Sequence, residues 1–294
     1  MTKITVATMQ YGLTDLRSEG QFWEKLTQNI CDATEQGAEL IVFPEYLTAH
    51  LLSLQPLMTH EEACQYLDSC TDAYVRFFRQ CSLMFQAVIL GGTHICKEPH
   101  GYVNRAYLFF PDGRVETQDK LHVTPEERSQ WSLNEGDRLN IIETDWGKLA
   151  ILTCYDIEFP ELGRMAADSG VELILCPSYT DGAHGYHRVR HCAQARAIEN
   201  QVVVVLSGLV GALTESRPQV DQGYCQAGIF TPCDFPFSEH GVLQSGRTNE
   251  EMAVHGEIDF TRLSLNRRQG AVAPFYDRRP GLYARHGQAM VREW

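Results

Sequence analysis

The amino-acid sequence predicts an α/β protein with mixed sheets, and three observations carry that reading. Short apolar runs of strand length alternate with longer amphipathic stretches of helical spacing. A hairpin signature, Pro111-Asp112-Gly113, separates two strand-like segments. The last third, with GIFTP and MAVHGEID, is rich in strand patterns. Strand–helix alternation favours parallel neighbours and hairpins favour antiparallel ones, so the combination implies mixed sheets.

Residues 4–9 alternate as a first strand, and Phe22, Leu26, Ile30 and Ala33 then recur at helical spacing until Gly37 stops the pattern. ELIVF at 39–43 reads as a buried strand cut off by Pro44. Residues 61–83, with Tyr66, Tyr74, Phe77, Phe78 and Cys81, read as helical. The apolar run 87–90 reads as a strand closed by Gly91 and Gly92. Segments 105–110 and 114–117 form the hairpin around the Asp-Gly turn. LAILT at 149–153 is a strand, followed by a helix from Pro160 to about Ser169, which Gly170 ends. ELILC at 172–176 returns as a strand, 187–200 as a helix and 202–207 as a buried strand.

At 294 residues, 44% hydrophobic and 21% charged, the composition is that of a globular protein. No linker rich in Pro, Gly or Ser, no low-complexity segment and no internal repeat divides it, so one compact domain is expected. The 25 basic and 38 acidic residues give a net charge of −13, which argues against a nucleic-acid or anionic-membrane partner. The longest uncharged apolar stretch, VVVVLSGLVGAL, is shorter than the roughly 18 residues a membrane span requires. The amino terminus, MTKITVATMQ, has no signal-peptide pattern. Ten irregularly spaced cysteines contain no C-x-x-C pair, which disfavours a zinc ribbon or a thioredoxin motif. Reduced thiols and a cytoplasmic location are the expectation.

Functional groups in α/β sheets gather at the carboxyl ends of strands. Glu45 follows IVFP, Lys120 follows the second hairpin strand and Cys154 follows LAILT. Singly, such a thiol is most often a small core group and such a Glu or Lys a solvated charge. Together they supply a base, an oxyanion stabiliser and a nucleophile for acyl transfer.

The local segments sharpen this. IVFPE around Glu45, DKLHVTPEE around Lys120 and CYDIEFPE from Cys154 resemble, in order, the three signature segments of the nitrilase superfamily, the carbon–nitrogen hydrolases. ATMQ near the amino terminus, ARAIENQ at 195–201 and VHGEID at 254–259 extend the resemblance to about Tyr283. The resemblance implies a four-layer α-β-β-α sandwich with two mixed β-sheets, formed by residues 1–283 with a tail at 284–294. It also implies a homodimer or higher homo-oligomer. In such a protein Glu45 is the general base, Lys120 the oxyanion stabiliser and Cys154 the nucleophile. A second glutamate falls just after the lysine. Glu127 is preferred over Glu126 because KLHLTP-x-E segments of close relatives place theirs there. No metal and no cofactor is called for.

True nitrilases usually continue the cysteine with Trp-Glu. Cys154-Tyr155-Asp156 with Phe159-Pro160-Glu161 looks instead like the amidase and carbamoylase branches. The expected activity is hydrolysis of a non-peptide C–N bond in a small amide through a cysteine thioester, releasing ammonia or an amine. A carbamoyl amine as substrate, or acyl transfer to a second amine, would use the same residues. A free thiol of pKa about 8.5 is only about 3% thiolate at pH 7. Glu45 can remove the proton during attack, and the oxyanion would meet Lys120 and the Tyr155 backbone N–H. Asp156 and Glu161 are expected to bond nearby backbone or Arg groups. A non-catalytic binding protein on this fold would be expected to have lost one of Glu45, Lys120 or Cys154.

The segment PSYTDGAHGYH at 177–187 corresponds to the loop that shapes the acyl pocket in relatives. Candidate substrate contacts are Tyr46, Tyr155, Ser178, Tyr179, Thr180, Asp181 and His184. Asp181 suits a cationic amine, whereas Arg188 or Arg190 suits a carboxylate, and the sequence leaves both open. His187 and His191, with His184 upstream, have a metal-compatible spacing but lack an H-E-x-x-H motif, so a structural helix is the better account. Arg278 and Arg279, in the basic stretch from Arg267, are expected to form intrachain or inter-subunit salt bridges.

Overall fold

The computed structural model describes residues 3–285. Strand β1 (Lys3–Leu13) leads into α1 (Glu19–Glu35), capped by the Ser18 side chain accepting from the Gln21 N–H. Strand β2 (Leu40–Val42) is followed by a 3₁₀ stretch, Leu47–Leu54, then α2 (His60–Ser69) and α3 (Thr71–Phe85). Strands β3 (Val88–Glu98), β4 (Gly101–Phe109) and β5 (Val115–Asp119) form an antiparallel meander. Short strands β6 (Leu133–Asn134) and β7 (Ile142–Thr144) precede β8 (Gly147–Ile151). Then come α4 (Pro160–Asp168), β9 (Val171–Ser178), α5 (Ala183–Asn200) and β10 (Val203–Ala212). The chain continues through β11 (Gln222–Gly223), β12 (Gly228–Phe230), β13 (Val242–Ser245), β14 (Met252–Asp259), α6 (Phe260–Gln269) and α7 (Pro280–Arg285).

The layering follows from side-chain alternation. On β1 and β2, Ala7 and Ile41 face one apolar cluster while Val6, Leu40 and Val42 face another. On β9 and β10, Ile174, Cys176, Val204 and Leu206 face a third cluster, and Leu173, Leu175, Val203 and Val205 join Val6 and Leu40 in the second. The second cluster therefore lies between two sheet faces, and the other two lie between a sheet and its helices. That makes a four-layer α-β-β-α sandwich. Strands buried on both faces explain why ELIVF, ELILC and VVVV read as unbroken apolar runs. Each buried Val, Leu or Ile contributes roughly 1.5–3 kcal/mol of transfer free energy.

One half of the sheet runs β5-β4-β3-β2-β1 with β14 antiparallel to β1, and the other runs β10-β9-β8-β7. The halves are not hydrogen-bonded islands. Gln10–Leu13 of β1 lie parallel to Gly208–Gly211 of β10, so the two sheets meet at one seam.

Several boundaries differ from the sequence reading. The helical stretch 61–83 is two helices, broken at Cys70, with the Thr71 hydroxyl bonded to buried His94. Strand β3 does not close at Gly91 and Gly92 but shifts register there and runs on to Glu98, as glycines in a bulge allow. Helix α5 begins at Ala183 rather than 187. Asp156 accepts from the Leu121 and His122 N–H groups, as a structural carboxylate would. Arg278 pairs with Asp168 and Arg267 with Glu172, both within the chain. The tail expected at 284–294 lies outside the described residues except for its first two positions. Among the described residues, no helix is long and apolar enough to cross a membrane.

Candidate active site

Glu45 stands beyond the end of β2, where the backbone makes a tight exit. Phe43 N–H donates to Leu90 O, Tyr46 N–H donates to Thr93 Oγ1 at 2.9 Å, and Thr93 N–H returns to Pro44 O. Tyr46 adopts φ of 57°. Gly92, at φ of +73°, makes this possible, because a Cβ there would sit 2.1 Å from Pro44 O. The bulge in β3 is thus the seat of the segment carrying Glu45.

Lys120 follows β5 directly, and its backbone N–H donates to Asn104 O on β4. Its ammonium donates to Glu45 Oε1 at 2.9 Å and to Glu127 Oε1 and Oε2 at 2.8 and 2.7 Å. Glu127 opens a short π-helical turn, Glu127–Trp131, soon after Lys120, and also accepts from Tyr46 Oη at 2.6 Å and the Thr124 N–H at 2.7 Å. Its neighbour Glu126 is exposed at the cleft mouth. Lys120, Glu45 and Glu127 are 2%, 1% and 4% exposed, so this is a charge cluster out of water.

Cys154 ends the run that follows β8, at φ of 47°, where the chain turns into a 3₁₀ segment, Cys154–Glu158. A non-glycine residue held there stores on the order of 1–3 kcal/mol of strain, a recurrent feature of nucleophile turns. Buried Arg196 clamps the far end of the turn by donating to the carbonyls of Ile157 and Glu158. Asp156 ties the same turn to the segment after Lys120. The Cys154 thiol donates to Tyr179 O at 3.3 Å, and the Tyr179 N–H donates to Glu45 Oε2, so one residue bridges the thiol and the carboxylate.

Environment splits the two carboxylates. Burial raises the Glu45 pKa, Lys120 opposes this, the Glu127 charge adds to it, and the net shift is upward. Burial raises Glu127 too, but Lys120, Tyr46 and Thr124 outweigh it and hold Glu127 below its ordinary value. Lys120 is held well above its ordinary value, because the two carboxylates and the Cys154 sulfur outweigh its burial. The Cys154 thiol is pushed well up by burial and by the Glu45 charge. Paired groups with divergent proton affinities mark acid–base assignments. Here Glu45 carries the raised proton affinity and Glu127, paired with Lys120, the lowered one.

These groups form the floor of a cleft of about 790 Å³. Tyr46, Tyr155, Tyr179, Thr180 and Asp181 line it, as does Arg188. Ser178 and His184 do not. Ser178 lies on the same face of β9 as Cys176, its sulfur partner at 3.5 Å, and is buried. His184 is exposed on the first turn of α5, which presents Gly185, Arg188 and Val189 to the cleft instead. Arg190 is also elsewhere, bonded to Tyr186 Oη and stacked over Phe230. His187 and His191 stack 5.8 Å apart, and no group of three or more His, Cys, Asp or Glu among the described residues is placed to hold a metal.

Sequence reasoning missed Asn104, Trp131, Glu158 and the segment carrying Arg217, Gln219 and Asp221. Trp131 stacks on Tyr46 at 5.2 Å. Both cleft arginines are already engaged. Arg188 pairs with Glu158, and Arg217 donates to the carbonyls of Gln55 and Pro56. Asp181 makes no hydrogen bond or ion pair among the described residues and is exposed to the cleft.

The family model described as carbon-nitrogen hydrolase matches residues 4–244. The chain belongs to the carbon–nitrogen hydrolase family. A probable hydrolase, YhcX, of Bacillus subtilis (strain 168) is 39% identical over 280 residues, 95% of this chain. The chain spans only 54% of that protein's length. An (R)-stereoselective amidase of Pseudomonas sp is 32% identical over 245 residues, covering 82% of this chain and 81% of that one. Among solved structures, the amidase of Nesterenkonia AN1, from the nitrilase superfamily, superposes with a TM-score of 0.73 at 20% identity, over 96% of each chain. A mutant of that amidase shows covalent addition of the acetamide moiety of fluoroacetamide at its active site cysteine. This carbon–nitrogen hydrolase thus sits among amidase-like relatives of the superfamily.

Proposed function

We propose that this chain hydrolyses the C–N bond of a small amide through a thioester on Cys154, releasing ammonia or an amine. The observation that carries the reading is the convergence of Glu45, Lys120 and Cys154 on the floor of one cleft, backed by Glu127. As Cys154 attacks the carbonyl carbon, Glu45 takes the thiol proton. The oxyanion is stabilised by Lys120 and the Tyr155 backbone N–H, a kind of contact typically worth about 10²–10³ in rate per donor. Glu45 then protonates the leaving nitrogen and assists water in cleaving the thioester. Covalent addition of the acetamide moiety of fluoroacetamide at the active site cysteine of a Nesterenkonia amidase mutant supports Cys154 as the reactive thiol by analogy. Acyl transfer to a second amine is the same chemistry with a different acceptor.

The lining favours an amide whose distal end is cationic or neutral over one that ends in a carboxylate. Asp181 is unengaged, whereas Arg188 and Arg217 already have partners. The test is ammonia release from a panel of simple, amino-terminated and carboxylate-terminated amides, carbamoyl amines and nitriles, run on wild type and Cys154→Ala. Release is expected from wild type alone, with amino-terminated or neutral amides ahead of carboxylate-terminated ones. Full turnover by Cys154→Ala would sink the reading. The ten unpaired cysteines suit a reducing compartment, and a cytoplasmic location is part of this proposal. So is assembly as a homodimer, which sedimentation velocity measures directly.

A further inference from the structure

Asn104 is fully buried on β4, bonds both carboxylates of the cluster through its side chain and meets the Lys120 backbone through its own. Its Nδ2 donates to Glu45 Oε1 at 2.9 Å and to Glu127 Oε1 at 3.3 Å, and its backbone oxygen receives the Lys120 N–H. The two carboxylates settle which end of its amide is nitrogen, since an oxygen there would face two anionic oxygens. Its own Oδ1 finds no partner among the described residues.

Counting donors against lone pairs shows what this arrangement does. The Lys120 ammonium meets one oxygen of Glu45 and both oxygens of Glu127, and a single N–H, shared between the two oxygens of one carboxylate, serves the Glu127 contacts. The third N–H is left for an oxyanion. Glu45 Oε1 accepts from both Lys120 and Asn104, which fills its two lone-pair directions. Glu45 Oε2 accepts only the Tyr179 N–H at 2.9 Å, which leaves one direction open. Glu127 is saturated on both oxygens.

Resting on the amide-hydrolase reading, we infer that Asn104 is a positioning residue that, with Lys120, holds Glu45 by its Oε1 while Glu45 takes and returns the thiol proton. By filling Oε1, it also directs the thiol proton to Oε2. The S–C bond forms as the Cys154 proton moves to Glu45 Oε2 and the carbonyl π pair moves to oxygen. The new anion takes the third N–H of Lys120. Asn104 keeps Oε1 in place meanwhile. On collapse the π pair returns, the C–N bond breaks and the Oε2 proton leaves with the nitrogen.

The test uses Asn104→Ala and Asn104→Ser, with kcat, KM and the pH profile of kcat/KM normalised to the fraction of titratable Cys154. The titratable and charged groups acting on Glu45 are Lys120, Glu127, Cys154, Tyr46 and Cys176, and neither variant changes them. Removing a donor from ionised Glu45 raises its proton affinity. Asn104→Ala is therefore expected to lower kcat by about 10- to 100-fold at unchanged KM. Its acid limb should move up by about one pH unit. Asn104→Ser, which retains one donor, should fall between. An unmoved pH profile with full turnover per active site, whatever the melting temperature, would overturn the inference. Iodoacetamide alkylation of Cys154, read by mass spectrometry against pH, separates this from the activity itself. If wild type turns over no amide, the hydrolase reading fails. Slower, alkaline-shifted alkylation in Asn104→Ala would still support the role of Asn104, and an unchanged alkylation profile would overturn it.

Discussion

At the scale of single residues, the site shows how one side-chain type takes two roles. Glu45 and Glu127 share one ammonium and one amide, yet Glu45 has an open acceptor direction and a raised proton affinity, while Glu127 is saturated and held ionised. Replacing Glu127 by Gln removes the negative charge that helps raise Glu45. The acid limb of kcat/KM should then move to lower pH, opposite to the shift expected for Asn104→Ala. The rate should fall by about 10²–10³ as Lys120 loses its main anchor. An acid limb that stays put in Glu127→Gln would contradict this assignment. Glu45, Lys120, Cys154 and Glu127 were legible because each lies in a short segment with a recognisable surrounding pattern. Asn104 was not, for it sits inside GYVNRAYLFF, where the signal is only a polar residue in a strand-like run. Leaving its Oδ1 unpaired costs about 1–3 kcal/mol, a cost with no compensating packing role evident beside the carboxylates.

At the scale of elements, strand ends deliver the reactive groups and neighbouring elements lock them in place. The Gly91–Gly92 bulge seats Glu45, and Asp156 couples the nucleophile turn to the segment after Lys120. The stretch after Tyr46, Leu47–Leu54, is pinned by two buried histidines. His50 bonds Tyr11 Oη and the Thr14 backbone, and His94 bonds Thr48 and Thr71. Burial lowers His50 from 6.5 to about 4 and His94 to about 3. Both are neutral in the folded protein, whereas the unfolded chain protonates them near pH 6.5. Between pH 6.5 and about 4 the unfolded state binds more protons, so stability falls as pH falls through that window. For His50 alone the loss is on the order of 3 kcal/mol. Urea midpoints at pH 7 and 4.5 should therefore differ less in His50→Gln than in wild type, although the variant is weaker at pH 7. An equal difference in both proteins would refute this account. The sequence misplaced elements where a long-range partner overrode a local signal. Gly-Gly reads as a stop, yet Pro44 turns it into a bulge, and Cys70 interrupts a helical pattern where Thr71 reaches His94.

At the scale of the whole molecule, two sheets packed face to face bring the carboxyl ends of β2, β5 and β8 to one cleft. Short unbroken apolar runs alternating with helical stretches made the α/β class legible, since burial of both sheet faces writes itself into local sequence. The seam between β1 and β10 was not legible, because it pairs Gln10 with Gly208 and no local pattern encodes so distant a contact. Nor was the inner wall of the cleft, where Arg217 and Gln219 arrive from a segment remote from every reactive residue. The central claim is that this cleft makes an acyl enzyme on Cys154. The direct measurement is mass spectrometry of enzyme quenched during turnover of a slow amide, with the modified peptide mapped. The account predicts an added acyl group on Cys154 in wild type and none in Cys154→Ala. Turnover with Cys154 unmodified, or with the acyl group on another residue, would contradict it.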